Sequence, residues 1–288
     1  MNAPASIHSI PEITTGEFEK FRDFFYRKTG IQFGDSKRYF VDKRLIERIR
    51  ATGHDSFRRY FQFMRFQASG LEVQELINCM TVNETYFFRE EYQFECLVEE
   101  ALNELVKLKP GQPLRIWSIP SSSGEEPYSI ALFLLEKWPL IDQVDIEIVS
   151  SDIDSDILQR CQQGIYSERS LMHVSEQLRQ RYFTRYGEDE FQICQELRDS
   201  VRFTQVNLAD SGDTRAYRNF DVVFCRNLLI YFDDASRRDA ANVFYGALNP
   251  GGFVFLGHSE SMSRISSLFK VRKFTKAIAY QKPLEKHG

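Results

Sequence analysis

Residues 114–138 read LRIWSIPSSSGEEPYSIALFLLEKW. A short apolar run, LRIWS, feeds the small residues Ser121, Ser122, Ser123 and Gly124, and a helix-like segment then begins near Pro127, a residue suited to a first helical turn. This is strand, loop, helix. The serines and glycine let a ligand approach the backbone, and the helix start offers unpaired amides to an anionic or carboxylate-bearing group. The loop occupies the position of a nucleotide-binding loop but lacks the GxGxxG spacing. Taken alone, it reads equally well as a solvated strand-to-helix turn.

The alternation continues toward the C-terminus through DIEIVSSDI (145–153), SDILQRCQQ (155–163), VRFTQVNL (201–208), FDVVFCRNLLIYF (220–232), SRRDAANVFYGAL (236–248) and GFVFLGHSE (252–260). Strands alternating with helices predict a parallel sheet covered on both faces. LFKVRKF (268–274) and KAIAYQK (276–282) have no helix between them, which predicts a closing antiparallel hairpin. The fold class expected is therefore α/β: a Rossmann-like, mostly parallel sheet with a C-terminal antiparallel hairpin. Between about 165 and 200 a helix-like EQLRQRYF and a strand-like EFQICQEL exceed what a crossover needs, and predict a small inserted β subdomain.

Toward the N-terminus the period changes. Thr15 is positioned to cap a helix with Phe18, Phe21, Phe24 and Phe25 on one face. Tyr39–Arg50 turns Phe40, Leu45, Ile46 and Ile49 inward and Lys43, Arg44, Glu47, Arg48 and Arg50 outward. Phe57–Phe66 and Glu72–Met80 read as two more helices. Residues 1–90 form an all-helical domain and linker, and residues 91–288 the sheet domain.

Composition narrows the class. Hydrophobic residues at 42% and 25 Phe permit a dense core, so disorder is excluded. A net charge of -4 gives no whole-chain electrostatic footprint for nucleic acid. Cys79, Cys96, Cys161, Cys194 and Cys225 are scattered, with no CxxC pair, which fits reduced thiols in the cytoplasm and no metal site. No apolar run reaches membrane-spanning length, and the leader lacks a signal-peptide pattern, so neither membrane insertion nor export is expected.

Several polar residues stand where strands of open α/β sheets hand over to binding loops. Asp152, at the end of VSSDID, can accept both hydroxyls of a ribose; it could also be a helix cap. Asn207, at the end of its strand, carries donor and acceptor groups able to read an adenine edge. Arg226 and Asn227 interrupt a buried strand, where an arginine is costly unless paired, and internal pairing and ligand contact both remain open. Tyr231 follows, and could be core. TVNETYFFRE (81–90) alternates Asn83, Thr85 and Arg89 with aromatics, a composition that suits a lid.

Five segments, TVNETYFFRE, WSIPSSSGEEPYSIA, SSDID, VNL and CRNLLIYF, followed by GHSES, together resemble the chemotaxis receptor (CheR-type) protein-glutamate methyltransferases over roughly residues 15–282. The sheet expected above is also the usual architecture of S-adenosylmethionine-dependent methyltransferases. The resemblance implies that Asn83, Thr85, Arg89, Glu126, Asp152, Asn207, Leu208, Arg226, Asn227 and Tyr231 contact S-adenosylmethionine or its product S-adenosylhomocysteine, with no metal. It implies that the acceptors are glutamate side chains in the cytoplasmic domains of chemoreceptors. Ile119 and Pro120 depart from the small residues usual in the family's loop, and proline offers no amide there.

A glutamate is already ionised at neutral pH, so the dispersed histidines His8, His54, His173, His258 and His287 need not supply a base. Arg89 and Tyr231 are the residues expected to orient the incoming carboxylate. The basic face of Lys43, Arg44, Arg48 and Arg50, with Arg58 and Arg59 nearby, is expected to dock an acidic helical surface; a merely solvated face is the alternative. In family members that tether to a receptor C-terminal peptide, a glycine-containing loop joins two strands of the inserted subdomain. Here RYFTRYGEDEFQICQEL has only Gly187, is shorter, and carries Glu188, Asp189 and Glu190, which reads as an edge strand protected from pairing. Independence from a tether peptide is expected. Two other readings are a nucleic-acid methyltransferase, against which CRNL in place of an NPPY-like tetrapeptide and the acidity both speak, and a non-catalytic cofactor sensor, against which Arg89 and Tyr231 speak.

Overall fold

The computed structural model describes residues 12–284, so His8 and His287 lie outside the described residues. The chain forms two compact units, Met1–Val82 and Asn83–Gly288. The first contains α1 (Thr15–Thr29), α2 (Arg38–Ala51), α3 (Phe57–Phe66) and α4 (Leu71–Met80). Thr14, not Thr15, caps α1: its hydroxyl accepts the Glu17 amide while the Glu17 carboxylate accepts the Thr14 amide, a reciprocal capping box. Phe18, Phe21 and Phe25 are buried, and Phe24 is only partly so. In α2 the buried stripe is Val41, Leu45 and Ile49, four residues apart, which leaves Phe40 and Ile46 half-buried on its flanks.

The expected basic face is interrupted because several of its cations serve the unit itself. Arg48 donates to both oxygens of buried Glu72, at 3.0 and 2.7 Å, and pairs with Glu75. The Tyr60 hydroxyl also donates to Glu72, at 2.7 Å, and burial with this acceptor pushes that phenol far up. Arg44 donates to the Cys79 carbonyl and lies 3.5 Å over the Phe40 ring, and Arg59 pairs with Asp55. Lys43, Arg50 and Arg58 remain exposed.

The second unit opens with α5 (Glu91–Cys96), which passes through a π-turn into α6 (Leu102–Leu108), elements for which the sequence reading had no assignment. There follow β1 (Leu114–Ser118), α7 (Glu125–Lys137), β2 (Ile146–Asp152), α8 (Ser155–Gln163), β3 (Ile165–Ser167), α9 (Glu176–Tyr182), β4 (Phe183–Tyr186), β5 (Glu190–Ile193), α10 (Gln195–Asp199), β6 (Val201–Gln205), α11 (Ser211–Thr214), β7 (Phe220–Cys225), α12 (Asp234–Ala247), β8 (Leu248–Leu256), β9 (Lys270–Lys273) and β10 (Ile278–Gln281). The large sheet runs β6-β2-β1-β7-β8-β10-β9. Its first five strands are parallel, and β10 pairs antiparallel with both β8 and β9, the expected closing hairpin. Every residue of β7 is buried, as a strand covered on both faces requires, and Phe224 stacks on Phe255 at 4.8 Å.

β3, β5 and β4 form the inserted antiparallel sheet, with β5 central. Two details differ from expectation. EFQICQEL divides, its strand ending at Ile193 and its remainder coiling into α10. The acidic run does not guard an edge: Glu188 and Asp189 form the β4–β5 turn, and Glu190 opens the central strand. The outer strand β4 carries exposed Thr184, Arg185 and Tyr186 instead.

All five cysteines are free thiols, and burial pushes each of them up, Cys79 and Cys96 to about 12. Among the described residues no helix is long and apolar enough to cross a membrane.

The helical unit yields a stability test. Arg48→Met strands the buried Glu72 carboxylate and should cost about 3 kcal/mol in the denaturant midpoint of the whole chain. Arg59→Ala, which breaks an exposed pair, should cost less than about 0.5 kcal/mol. Equal effects would show that Glu72 does not depend on its guanidinium.

Candidate functional site

The chain runs from β1 outward to β2 and β6, then returns past β1 to β7 and β8. The crevice lies at that reversal, beyond the carboxyl ends of β1 and β7, the position where open α/β sheets bind ligands. Ser118 ends β1, Asp152 ends β2 and Cys225 ends β7, so register brings the loops that follow them side by side.

The loop after β1 bends sharply. Ser122 has φ +47 and Gly124 φ +98. A Cβ on Gly124 would meet the Tyr166 hydroxyl at 2.9 Å and the Tyr128 ring at 3.1 Å, so only glycine fits at this left-handed N-cap. Asp152 is buried and receives the Ser122 amide at 2.9 Å on one oxygen and the Asp154 amide at 3.0 Å on the other. It therefore shapes the loop, and the Ile153 amide is a further donor that favours its charged form. The helix-capping role belongs to Asp154, which accepts the amides of Asp156 and Ile157. Burial raises the Asp152 carboxyl to about 7, although the amides pull the other way.

Arg226 resolves one of the alternatives. Its side chain is 1% exposed and lies between two carboxylates, Glu126 at 3.2 Å and Glu90 at 3.6 Å. It also donates to the Arg89 carbonyl and sits 5.2 Å over the Phe94 ring. Its charge is thus paired internally, and only Nε lacks a hydrogen-bond partner. Glu126 also accepts the Ser118 hydroxyl at 2.8 Å, and burial pushes its carboxyl up against the pull of Arg226. Asn227 follows at φ +58, its amide on Glu260, and a 3-10 turn, Leu229–Tyr231, ends in half-buried Tyr231.

The segment 83–90 is anchored, which corrects its reading as a lid. Phe87 and Phe88 are buried core residues, the Phe87 amide donates to the Ser170 carbonyl, and the Phe88 amide donates to the Ser129 hydroxyl. Its aromatics are there to be packed. Asn83 donates to Asp154 at 3.2 Å, Thr85 is half-buried on the same stretch, and the Arg89 guanidinium donates to the Glu84 carbonyl. Burial pushes the Tyr231 hydroxyl up, and the positive charge of Arg89 opposes that shift. Asn207 lies two residues past β6, its amide on Asp213 and its side-chain oxygen accepting the Ala209 amide; Leu208 beside it is buried.

The sequence reading missed Glu90, Glu125 and Glu260. Glu90 holds Arg226, Gln93 and His258; Glu125, fully buried, accepts the Ser123 and Ser170 hydroxyls. An acid next to Arg89, and two adjacent acids opening a helix, were the available signals.

Residues 83–278 match the family described as CheR methyltransferase, SAM binding domain, and residues 16–81 match CheR methyltransferase, all-alpha domain. The chain belongs to the CheR methyltransferase family. Chemotaxis protein methyltransferase 2 of Vibrio cholerae serotype O1 is 58% identical over 94% of this chain and 94% of its own length. Chemotaxis protein methyltransferase Cher2 of Pseudomonas putida is 34% identical over 92% of this chain and 97% of its own. Among solved structures, the N-methyltransferase NodS from Bradyrhizobium japonicum, in complex with S-adenosylhomocysteine, covers 70% of this chain and 90% of its own at 12% identity and a TM-score of 0.40. This CheR-type chain is an S-adenosylmethionine-dependent methyltransferase, and its second unit is the cofactor-binding one. The crevice fits that cofactor on its own terms. It offers a buried carboxylate for a diol, an acid and a guanidinium side by side for an aminocarboxylate, and buried polar atoms without a protein partner at Ser122 Oγ and Arg226 Nε.

Between about pH 4 and pH 7 the folded chain holds the Asp152 proton that the unfolded chain has released, so this group's contribution to stability falls as pH rises through that window, by up to about 1.4 kcal/mol per pH unit. Denaturant midpoints across this range should therefore show Asp152→Asn gaining on the wild type as pH rises. A constant difference between the two would mean that Asp152 ionises as an ordinary carboxylate.

Proposed function

We propose that this CheR-type enzyme methylates glutamate carboxylates in the cytoplasmic domains of chemoreceptors, working in the cytoplasm and giving glutamyl methyl esters. The observation that carries this reading is that Arg226 bonds to the Arg89 carbonyl and pairs with Glu90, joining the segment that bears Arg89 to the turn that bears Tyr231. When bound, S-adenosylmethionine supplies a methyl group activated by its sulfonium and leaves as S-adenosylhomocysteine; no metal takes part.

Asp152 takes the ribose hydroxyls, and Asn207 with Leu208 lines the adenine. Glu126, Arg226 and Asn227 hold the aminocarboxylate end, with Asn83 and Thr85 beside it on their anchored segment. Arg89 offers its fork to one oxygen of the incoming glutamate, which is ionised at neutral pH and already nucleophilic. Tyr231 stays protonated and donates to the other oxygen. Orientation is the main contribution of both, because strong stabilisation of the carboxylate would favour the ground state over a transition state in which that charge is being lost. Lys43, Arg50 and Arg58 are the cations left to meet an acidic receptor surface.

The three-residue β4–β5 turn with Glu188 and Asp189 supports action without a receptor tether peptide, since those charges repel a C-terminal carboxylate. Calorimetry with an isolated tether pentapeptide should register no heat, and micromolar binding would sink that part of the reading. The acceptor is tested by transfer of a tritiated methyl group to receptor fragments: an ester releases methanol in mild base, whereas an N-methyl base does not.

Arg89→Ala should lower the methylation rate by at least tenfold while changing S-adenosylhomocysteine affinity less than threefold, about 0.6 kcal/mol. Lysine should rescue poorly, lacking the planar fork. Parallel losses in rate and affinity would recast Arg89 as a cofactor clamp.

A further inference from the structure

Glu260 lies beyond β8, yet its side chain reaches back beneath the residues that follow β7. Its Oε2 accepts the amides of Asn227 and Gly257, each at 2.9 Å, and its own amide donates to the Gly257 carbonyl. Burial pushes this carboxyl up, the neighbouring backbone amides, those of Leu229 and Ile230 included, pull the other way, and Oε1 accepts no hydrogen bond. Backbone amides converging in this way make an anion nest, occupied here by the chain's own acid.

Asn227 stands in the left-handed region at φ +58, which asparagine tolerates better than other residues with side chains, and the bond to Glu260 fixes it there. Gly257 contributes by having no side chain: a Cβ there would stand 2.8 Å from Asn227 Nδ2 and 3.0 Å from Glu260 Oε2. The turn held by the nest carries Tyr231 at its far end.

We infer that Glu260 is a positioning residue, whose carboxylate fixes the turn 226–231 and thereby holds Asn227 against the cofactor and Tyr231 against the acceptor. This rests on the roles given to Asn227 and Tyr231 above. Glu260 itself touches neither reactant. A carboxylate that only stiffened the fold would give a different response to replacement from outside.

The test measures S-adenosylhomocysteine affinity by calorimetry, and methyl transfer to receptor fragments, for Glu260→Ala and Glu260→Gln. Each is run with sodium acetate and with sodium chloride at equal ionic strength. Glu260→Ala should bind about tenfold more weakly and turn over at least tenfold more slowly, as expected for lost charge-assisted hydrogen bonds, and acetate but not chloride should restore both several-fold. Glu260→Gln should stay impaired in either salt, though less than Glu260→Ala, because its amide oxygen can accept the Asn227 and Gly257 amides but without the charge, and its NH2 leaves no room for acetate. A Gln variant equal to wild type would overturn the inference, as would an Ala variant that is folded and impaired but insensitive to acetate. Should the Ala variant not fold, the Gln variant decides. Wild-type enzyme that binds product but methylates no receptor would refute the acceptor, while the affinity comparison still judges Glu260.

Discussion

A guanidinium almost without solvent must be paired, and the rest of the crevice is arranged around that requirement at Arg226. Its partners come from two stretches of chain: Glu126 from the first turn of α7, and Glu90 with the Arg89 carbonyl from the residues just before α5. One cation therefore sets the mutual position of the loop after β1, the segment 83–90 and the end of β7. Because removing the guanidinium would leave two carboxylates without their cation in an apolar setting, the three pieces are held as a unit. The ring of Phe94 closes the remaining side.

Around this pair of acids the backbone adopts conformations that side chains resist. Phe88, Glu90, Ser122 and Asn227 all have positive φ, and all four belong to the segments that meet at Arg226 or the crevice. A phenylalanine in this region is rare. Each strained residue is tied down by a specific bond: the Phe88 amide by Ser129, the Glu90 carboxylate by Arg226, the Ser122 amide by Asp152, and the Asn227 amide by Glu260. The tertiary structure imposes these conformations on residues that would not choose them.

This division explains what could be read from the sequence. Period and alternation depend on neighbours a few residues away, so the helix Phe57–Phe66, the parallel strands and the closing hairpin were legible. Asp152 and Arg226 were legible as polar residues ending apolar runs. The partners Glu90 and Glu260 were not, because what makes them matter lies 136 and 33 residues away respectively, and an exposed acid looks the same in a sequence. The lid assignment failed for a related reason: aromatics interleaved with polar residues do not reveal which face packs, and Phe87 and Phe88 pack inward. The edge assignment of Glu190 failed because strand order within the small sheet is not sequential.

The buried cysteines bear on chemical compatibility between the protein and what it handles. A sulfonium methyl donor is an alkylating agent, and among protein side chains the thiolate is its most willing victim. Cys161 lies directly under the loop after β1, its sulfur donating to the Ser122 carbonyl, yet burial keeps it a neutral thiol, and Cys225 at the end of β7 is held the same way. For a thiol raised to about 12, such as Cys96, only roughly one molecule in a hundred thousand carries thiolate at neutral pH. Sulfur placed so near the crevice is thus kept from competing with the intended acceptor, and the catalyst is spared alkylation by its own reagent.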